Sequence, residues 1–367
     1  MTRALSRPEL AAWVRLARTP RIGPLTFHRL IARFRTASGA LEALPRISNL
    51  TAPPADRASA EIEAAAALNA RLIASCEPDY PPLLAQLDAP PPIISIRGDA
   101  GLLKRPTIAI VGSREGSGSA LIFAERIAAE LGDAGYTIVS GLARGVDAAA
   151  HKGALSTGTA AVLAGGLDHP YPPQNLKLHE TICERGAVVS EAPLGSVARA
   201  RDFPRRNAII SGVARAVVII EAALRSGSLI TARAAADQGR DVMAAPGSPL
   251  DPRARGSNAL IKQGATLIES AQDVIEALGE GSPPARPLSI GPLFADLDST
   301  PAPAGLPKKI AALISPTPIH VNDIARLVEA PMSAVAAALT ELEMEGRAAS
   351  LPGGYVASSA AAFRELE

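Results

Sequence analysis

Apolar positions along this chain follow two rhythms. From residue 1 to about 75 they recur at helical spacing, and PELAAWVRLART, PRIGPLTFHRLIARF and the Ala-rich DRASAEIEAAAALNARLIA each read as a helix. From 76 to 278 they form short Val- and Ile-rich runs: PIISIRGD (92–99), TIAIVGS (107–113), YTIVSG (136–141), TAAVLAGG (159–166), AVVSEA (187–192), AVVIIEA (216–222) and DVMAAPG (241–247). Helical patterns separate most of them. This alternation predicts an α/β domain with a doubly wound, mostly parallel sheet, and the near-continuous apolar runs predict strands covered on both faces.

Residues 279–306, GEGSPPARPLSIGPLFADLDSTPAPAGL, are rich in Pro, Gly and Ser and read as a flexible linker. Beyond it, over 307–367, KKIAALI, VNDIARLV and SAVAAALTELEMEGRA read as three helices, and RAASLPGGYVA as a strand, a turn and a strand. Three helices and a hairpin predict a winged-helix-like module. Its presumed recognition helix, MSAVAAALTELEMEGR, carries three glutamates and one terminal arginine, which favours protein contact or packing over reading of bases. At the other end, residues 1–75 form a helical module whose IGP turn matches a helix-hairpin-helix or SAM-like unit weakly. Pro24 stands where a DNA-binding hairpin has its second glycine, so the module reads as a packing unit.

Charge changes this picture only locally. The 37 Lys and Arg nearly balance the 36 Asp and Glu, so attraction to a polyanion must come from clustering. Aromatics make up 3% of the chain, too few for a surface built mainly of stacked rings. Cys76 and Cys183 lie far apart, which fits a reducing cytoplasm. The N-terminus lacks the apolar core of a signal peptide, and no apolar run is long enough to span a membrane.

The candidate chemistry gathers at the ends of the apolar runs. VGSREGSGS (111–119), SGLARGVDAAAH (140–151), LAGGLDHPYPPQN (163–175), SEAP (190–193), EAALRSGSLITA (221–232) and APGSP (245–249) are small or polar, and glycine recurs through them. In an open parallel sheet, ligands bind beyond the carboxyl ends of the strands, so these loops predict a floor of backbone amides suited to phosphate. Gly112, Gly116 and Gly118 do not have dinucleotide spacing, and the chain contains no P-loop and no GxSxG elbow. His179 and Cys183, four apart on a predicted helix, are too few for a metal site, and His151 reads as a packing residue.

The arginines are more informative. Arg114, Arg144, Arg199, Arg201, Arg205 and Arg206 each read alone as a solvated cation. Together they fall on loops that the fold brings to one edge, which favours a polymer with several phosphates. Phe203 offers either a ring for a base to stack on or a small anchor beneath its loop. FPRRN (203–207) reads as a cationic elbow ahead of the buried strand that follows it.

VGSR, SGLARGVDAAAH, AVLAGGLDHPYPPQN, SEAP, FPRRNAIISG, RSGSLITARAAADQGRDVMAAPG and SNALIKQGA, in that order over about 70–278, resemble the DprA family (DNA processing protein A, also called Smf). The resemblance implies an extended Rossmann fold, a cytoplasmic homodimer, and binding of single-stranded DNA in a positive pocket at the strand ends. It also implies protection of incoming DNA during natural transformation and loading of the RecA recombinase, with no cofactor, metal or catalytic residue. Carried over by motif, the DNA-contacting residues are Gly112, Ser113, Arg114, Arg144, Gly165, Gly166, Phe203, Arg205, Arg206, Asn207, Ser226, Gly227 and Ser228.

Two other readings compete. Phosphoribohydrolases of the LOG type, which cleave nucleoside monophosphates, share a similar glycine pattern with the signature PGGxGTxxE. Here SGSLITARA (226–234) places Ala234 where their catalytic glutamate stands, although Glu191 and Glu221 also lie at strand ends. The third reading is a regulatory scaffold with a small nucleotide signal in the central pocket and duplex DNA or a partner protein on the winged-helix-like tail, although the acidic helix argues against duplex binding.

Overall fold

The computed structural model describes residues 3–279, 305–351 and 353–359; apart from its ends, the 279–306 segment lies outside them. The chain opens with four helices, α1 (Arg7–Ala17), α2 (Pro24–Phe34), α3 (Ala37–Ile47) and α4 (Ala55–Ala67). Glu9 reaches back to accept from the Ser6 N–H at 3.0 Å, closing the start of α1. Trp13 is buried and donates from Nε1 to the Pro92 carbonyl at 2.8 Å, fastening the helices to the domain that follows.

The Ala-rich pattern places a helix through residue 74, but α4 stops at Ala67. Asn69 adopts a left-handed φ of 54°, which ends the helix, and Ala70–Ala74 continue as strand β1. Asparagine tolerates this conformation better than most residues because its short amide bonds locally. After α5 (Pro82–Ala85), β2 (Ile93–Gly98) pairs antiparallel with β1.

The core then alternates as the apolar runs predict. β3 (Thr107–Gly112), α6 (Gly118–Asp133), β4 (Thr137–Ser140), α7 (Val146–Gly153), β5 (Thr159–Leu163), α8 (Leu176–Arg185), β6 (Ala187–Ser190), α9 (Asp202–Val213), β7 (Ala216–Ile220), α10 (Ser228–Asp237), β8 (Asp241–Ala244), α11 (Arg255–Lys262), β9 (Thr266–Leu267) and α12 (Ala271–Ala277) follow in sequence. The nine strands lie in the order β1-β2-β6-β5-β4-β3-β7-β8-β9, with β3 to β9 mutually parallel and β2 antiparallel to β6. Ile108, Ile110, Ile138, Val217 and Val218 are all fully buried. Each such side chain contributes roughly 1.5–3 kcal/mol relative to an exposed one.

One expectation fails in this domain. FPRRN is not an elbow ahead of a strand: it lies inside the first turns of α9, which begins at Asp202. Pro204 fits there because the first-turn N–H groups have no partner within the helix anyway, and Asp202 places negative charge at the helix start.

The C-terminal module consists of α13 (Leu306–Leu313), β10 (Ile319–His320), α14 (Val321–Val328), α15 (Met332–Met344), β11 (Ala348–Leu351) and β12 (Tyr355–Ser358), with β12 central in a three-stranded sheet. It is a winged helix. It rests on α6: Ile122 packs against its core, and Arg326 of α14 pairs with Glu125 at 3.4 Å. Arg253 donates to the Ala312 and Ile314 carbonyls at 2.9 and 3.1 Å while also holding Asp251 at 3.0 Å.

Candidate nucleic-acid interface

The order β5-β4-β3-β7-β8-β9 reverses direction between β3 and β7, and a crevice opens outside their carboxyl ends. A cleft of about 880 Å³ lies there. The loop after β3 supplies Gly112, Ser113 and Arg114, and the loop after β7 supplies Arg225, Ser226, Gly227 and Ser228. Gly112 is required at this position: a Cβ would collide with the Ile220 carbonyl of the neighbouring strand. Gly145 has a φ of 75° and closes the β4–α7 loop against the Ser113 carbonyl, which leaves Arg144 exposed on the rim.

The first turn of α9 brings Phe203 to the cleft wall. Two guanidinium groups lie over its ring, with Cζ of Arg114 5.4 Å and Cζ of Arg206 5.5 Å from its centroid. Tyr171 meets it edge-on at 6.1 Å and is itself 54% exposed. Each stacked cation gains roughly 0.5–2 kcal/mol, the larger value where water is excluded.

Beneath this layer lie two buried, opposite charges, Arg206 and Asp147, that attract each other. Arg206 is 6% exposed and donates from one terminal nitrogen to the carbonyls of Gly141 and, at 3.0 Å, Val162, at the ends of β4 and β5. Asp147 accepts from the Gly141 and Ala143 N–H groups at 3.1 and 3.3 Å. Burial raises the Asp147 carboxyl above its usual range and lowers Arg206 to about 10, and the attraction of each for the other opposes both shifts. Nearby, fully buried His151 meets the Thr159 hydroxyl at 2.7 Å, and burial, aided by the charge of Arg206, lowers its pKa to about 3.

The cleft is therefore lined by four arginines, Arg114, Arg144, Arg206 and Arg225, against two acids, Glu115 and Asp147. Asp147 is buried and accepts from the Gly141 and Ala143 N–H groups, and Glu115 stands 3.9 Å from Arg144 at the exposed rim. Arg114 and Arg225 project into solvent-accessible space.

A family model for DNA recombination-mediator protein A matches residues 71–279, more than half of the chain. The chain belongs to the DprA family. Models for the DprA-like N-terminal HHH domain and the DprA winged helix domain match residues 7–66 and 295–354. Protein Smf of Escherichia coli is 39% identical over 295 residues, covering 78% of this chain and 77% of its own. DNA processing protein DprA of Streptococcus pneumoniae is 43% identical over 198 residues, covering 53% and 70%. Its crystal structure superposes with a TM-score of 0.57 over 70% of this chain and 87% of its own, at 35% identity. The DNA processing protein A of Helicobacter pylori, whose structure concerns its single-stranded DNA binding mode, superposes with a TM-score of 0.51 at 31% identity, covering 54% and 92%.

Within this DprA-family fold, most residues singled out from the sequence converge. Gly112, Ser113, Arg114, Arg144, Phe203, Arg206, Asn207, Ser226, Gly227 and Ser228 all border the one cleft. Asn207 is 8% exposed and donates to the Gly227 carbonyl at 3.3 Å, tying α9 to the β7–α10 loop. Gly165 and Gly166 are not brought to the cleft. Both are buried: the Gly165 carbonyl accepts from Ser190 Oγ at 2.6 Å, and the Gly166 N–H donates to the Ser196 carbonyl at 2.9 Å. Arg205 points to the far side of α9 and pairs with Glu191 at 2.8 Å.

Sequence reasoning missed Tyr171 and Arg225. Arg225 stands immediately before the Ser-Gly-Ser cluster, a position that signals a cation at a phosphate-facing loop. Tyr171 carries no such mark, because its approach to Phe203 depends on the tertiary fold. The two strand-end glutamates are both committed. Glu191 holds Arg205, while Glu221 accepts from the Ser117 N–H at 2.8 Å and from its hydroxyl, and burial pushes its carboxyl up. His179 and Cys183 are buried, with Sγ 3.7 Å from Nε2, and among the described residues no group of three or more His, Cys, Asp or Glu could hold a metal ion. No described helix is long and apolar enough to cross a membrane.

Proposed function

We propose that this chain binds single-stranded DNA in the strand-end cleft and, as a cytoplasmic homodimer, delivers the strand to a RecA recombinase. The observation that carries the reading is the layered cleft wall, in which exposed Arg114 stacks on Phe203, Phe203 meets Tyr171, and Arg144 and Arg225 stand around them. Guanidinium forks suit phosphate oxygens, and an aromatic pair suits bases that are free to stack. In a duplex those faces are occupied by neighbouring bases, so the pairing of features favours a single strand. The phosphoribohydrolase alternative draws no support from Glu191 or Glu221, whose carboxylates are engaged by Arg205 and Ser117. The test is binding of a labelled single strand and of its duplex across a salt series, with free adenine release from AMP followed in parallel. Single-strand binding without adenine release supports the proposal; adenine release would overturn it in favour of the enzyme.

A further inference from the structure

Across the first turn of α9 lies a second hollow, of about 670 Å³, walled by the α1–α2 turn of the helical module and the loop after β6. Residues 197–201, VARAR, divide it from the strand-end cleft. Ala198 and Ala200 line the strand-end cleft, whereas Val197, Arg199 and Arg201 line the second hollow. The segment thus turns small side chains to one side and guanidinium groups to the other. Arg206 borders both, so the two spaces adjoin at the start of α9.

The opposite wall contributes Arg21, exposed in the α1–α2 turn at a φ of 69°. That wall is firmly placed. Arg18 pairs with Glu61 at 2.8 Å and donates to the Glu191 carbonyl at 3.0 Å, joining the helical module to the β6 loop. The acids of the hollow are already engaged: Glu191 holds Arg205, and Asp202 accepts from the Arg199 N–H at 2.9 Å. Neither Arg21 nor the Arg199 side chain has an ion-pair partner among the described residues. Among the described residues no aromatic side chain lines the hollow, so its chemistry suits phosphate rather than stacked bases.

We propose that a single strand held in the strand-end cleft continues around α9 into this second hollow, where Arg21 and Arg199 take its backbone phosphates. The helical module then forms part of the DNA track as well as a packing unit. This inference rests on the single-strand reading of the first cleft and extends it.

The test compares the full-length protein with an Arg21→Ala, Arg199→Ala double variant. Both sites are exposed, and alanine carries a left-handed penalty at residue 21 similar to that of arginine. Two oligothymidylates are used, one of roughly six nucleotides and one of roughly twenty, spanning the range of single-strand site sizes. The wild type is expected to bind the long strand more tightly. The double variant should lose on the order of tenfold on the long strand, lower its salt slope by about 1.4, and leave the short strand unchanged. Equal binding of the long strand by both proteins overturns the proposal. If Arg114→Ala weakens both lengths while the double variant changes neither, the extension alone falls. If the wild type binds neither strand, both readings fall together.

Discussion

Arg114 lies over the ring of Phe203, its guanidinium carbon 5.4 Å from the ring centroid, although the two residues come from the β3–α6 loop and from α9. The contact orients an exposed arginine before any anion arrives, which reduces the side-chain entropy lost on binding. Arg206 also lies over the ring and is anchored in turn to the ends of β4 and β5. The cleft wall is thus prepared from below by buried Arg206, bonded to the Gly141 and Val162 carbonyls, and from the side by an aromatic pair.

Phe203→Ala should weaken single-strand binding by roughly tenfold, the lower part of the range for one stacked base. Phe203→Trp should retain most of the affinity. Fluorescence anisotropy with a labelled oligothymidylate measures both. Unchanged affinity in Phe203→Ala would reduce the ring to a packing anchor.

Replacing Arg114 and Arg225 together by Ala should weaken binding to all sequences alike. The slope of log affinity against log salt should become shallower by about 1.4, at about 0.7 for each lost phosphate contact on a single strand. Arg225 had no place in the sequence-based set, so Arg225→Ala alone, with an expected change of about 0.7, tests a residue that only the structure nominates.

Arg206→Ala should act differently from Arg114→Ala. It removes the positive charge that faces the buried Asp147 carboxylate and the donor to the Gly141 and Val162 carbonyls, and should cost roughly 3–5 kcal/mol of stability, seen by denaturant unfolding. Adding Asp147→Leu should restore much of the loss, because a buried pair replaced by apolar groups is often close to neutral. A stable Arg206→Ala protein with intact folding would contradict the anchoring role.

His151 titrates near pH 3 when folded against an ordinary value of 6.5, so the unfolded chain binds the extra proton between those limits. Its contribution to stability is therefore present above pH 6.5 and falls by about 1.4 kcal/mol for each unit down to about pH 3. The raised carboxyls of Asp147 and Glu221 act with the opposite sign, their contribution falling as pH rises through and above the ordinary carboxyl range. Comparison with His151→Asn isolates the histidine: the variant should show a flatter loss between pH 6.5 and 4. Identical slopes would contradict the assignment.

The sheet was legible because strands covered on both faces leave unbroken Val and Ile runs, and seven such runs each became a strand. β1 was hidden behind an Ala-rich helix, and only Asn69 marked the break. The start of α9 was misread because Pro204 and two arginines resemble a loop, although Asp202 and a first-turn proline are also helix-start signals. Most of the cleft followed from glycine-containing strand ends placed by the topology. Burial of Arg206 was not readable, since the Gly141 and Val162 carbonyls that accept from it lie far along the chain and charge alone suggests exposure. The same holds for Gly165 and Gly166: the Gly165 carbonyl is taken by Ser190 at the end of β6 and the Gly166 amide by Ser196 in the loop that follows, which the pattern could not position.

The most direct measurement is equilibrium binding of a labelled single strand and of the matching duplex across a salt series. We expect strong preference for the single strand, with affinity falling steeply as salt rises. Equal binding of both, or no binding at all, would contradict the account and leave the cleft as a site for a smaller anion.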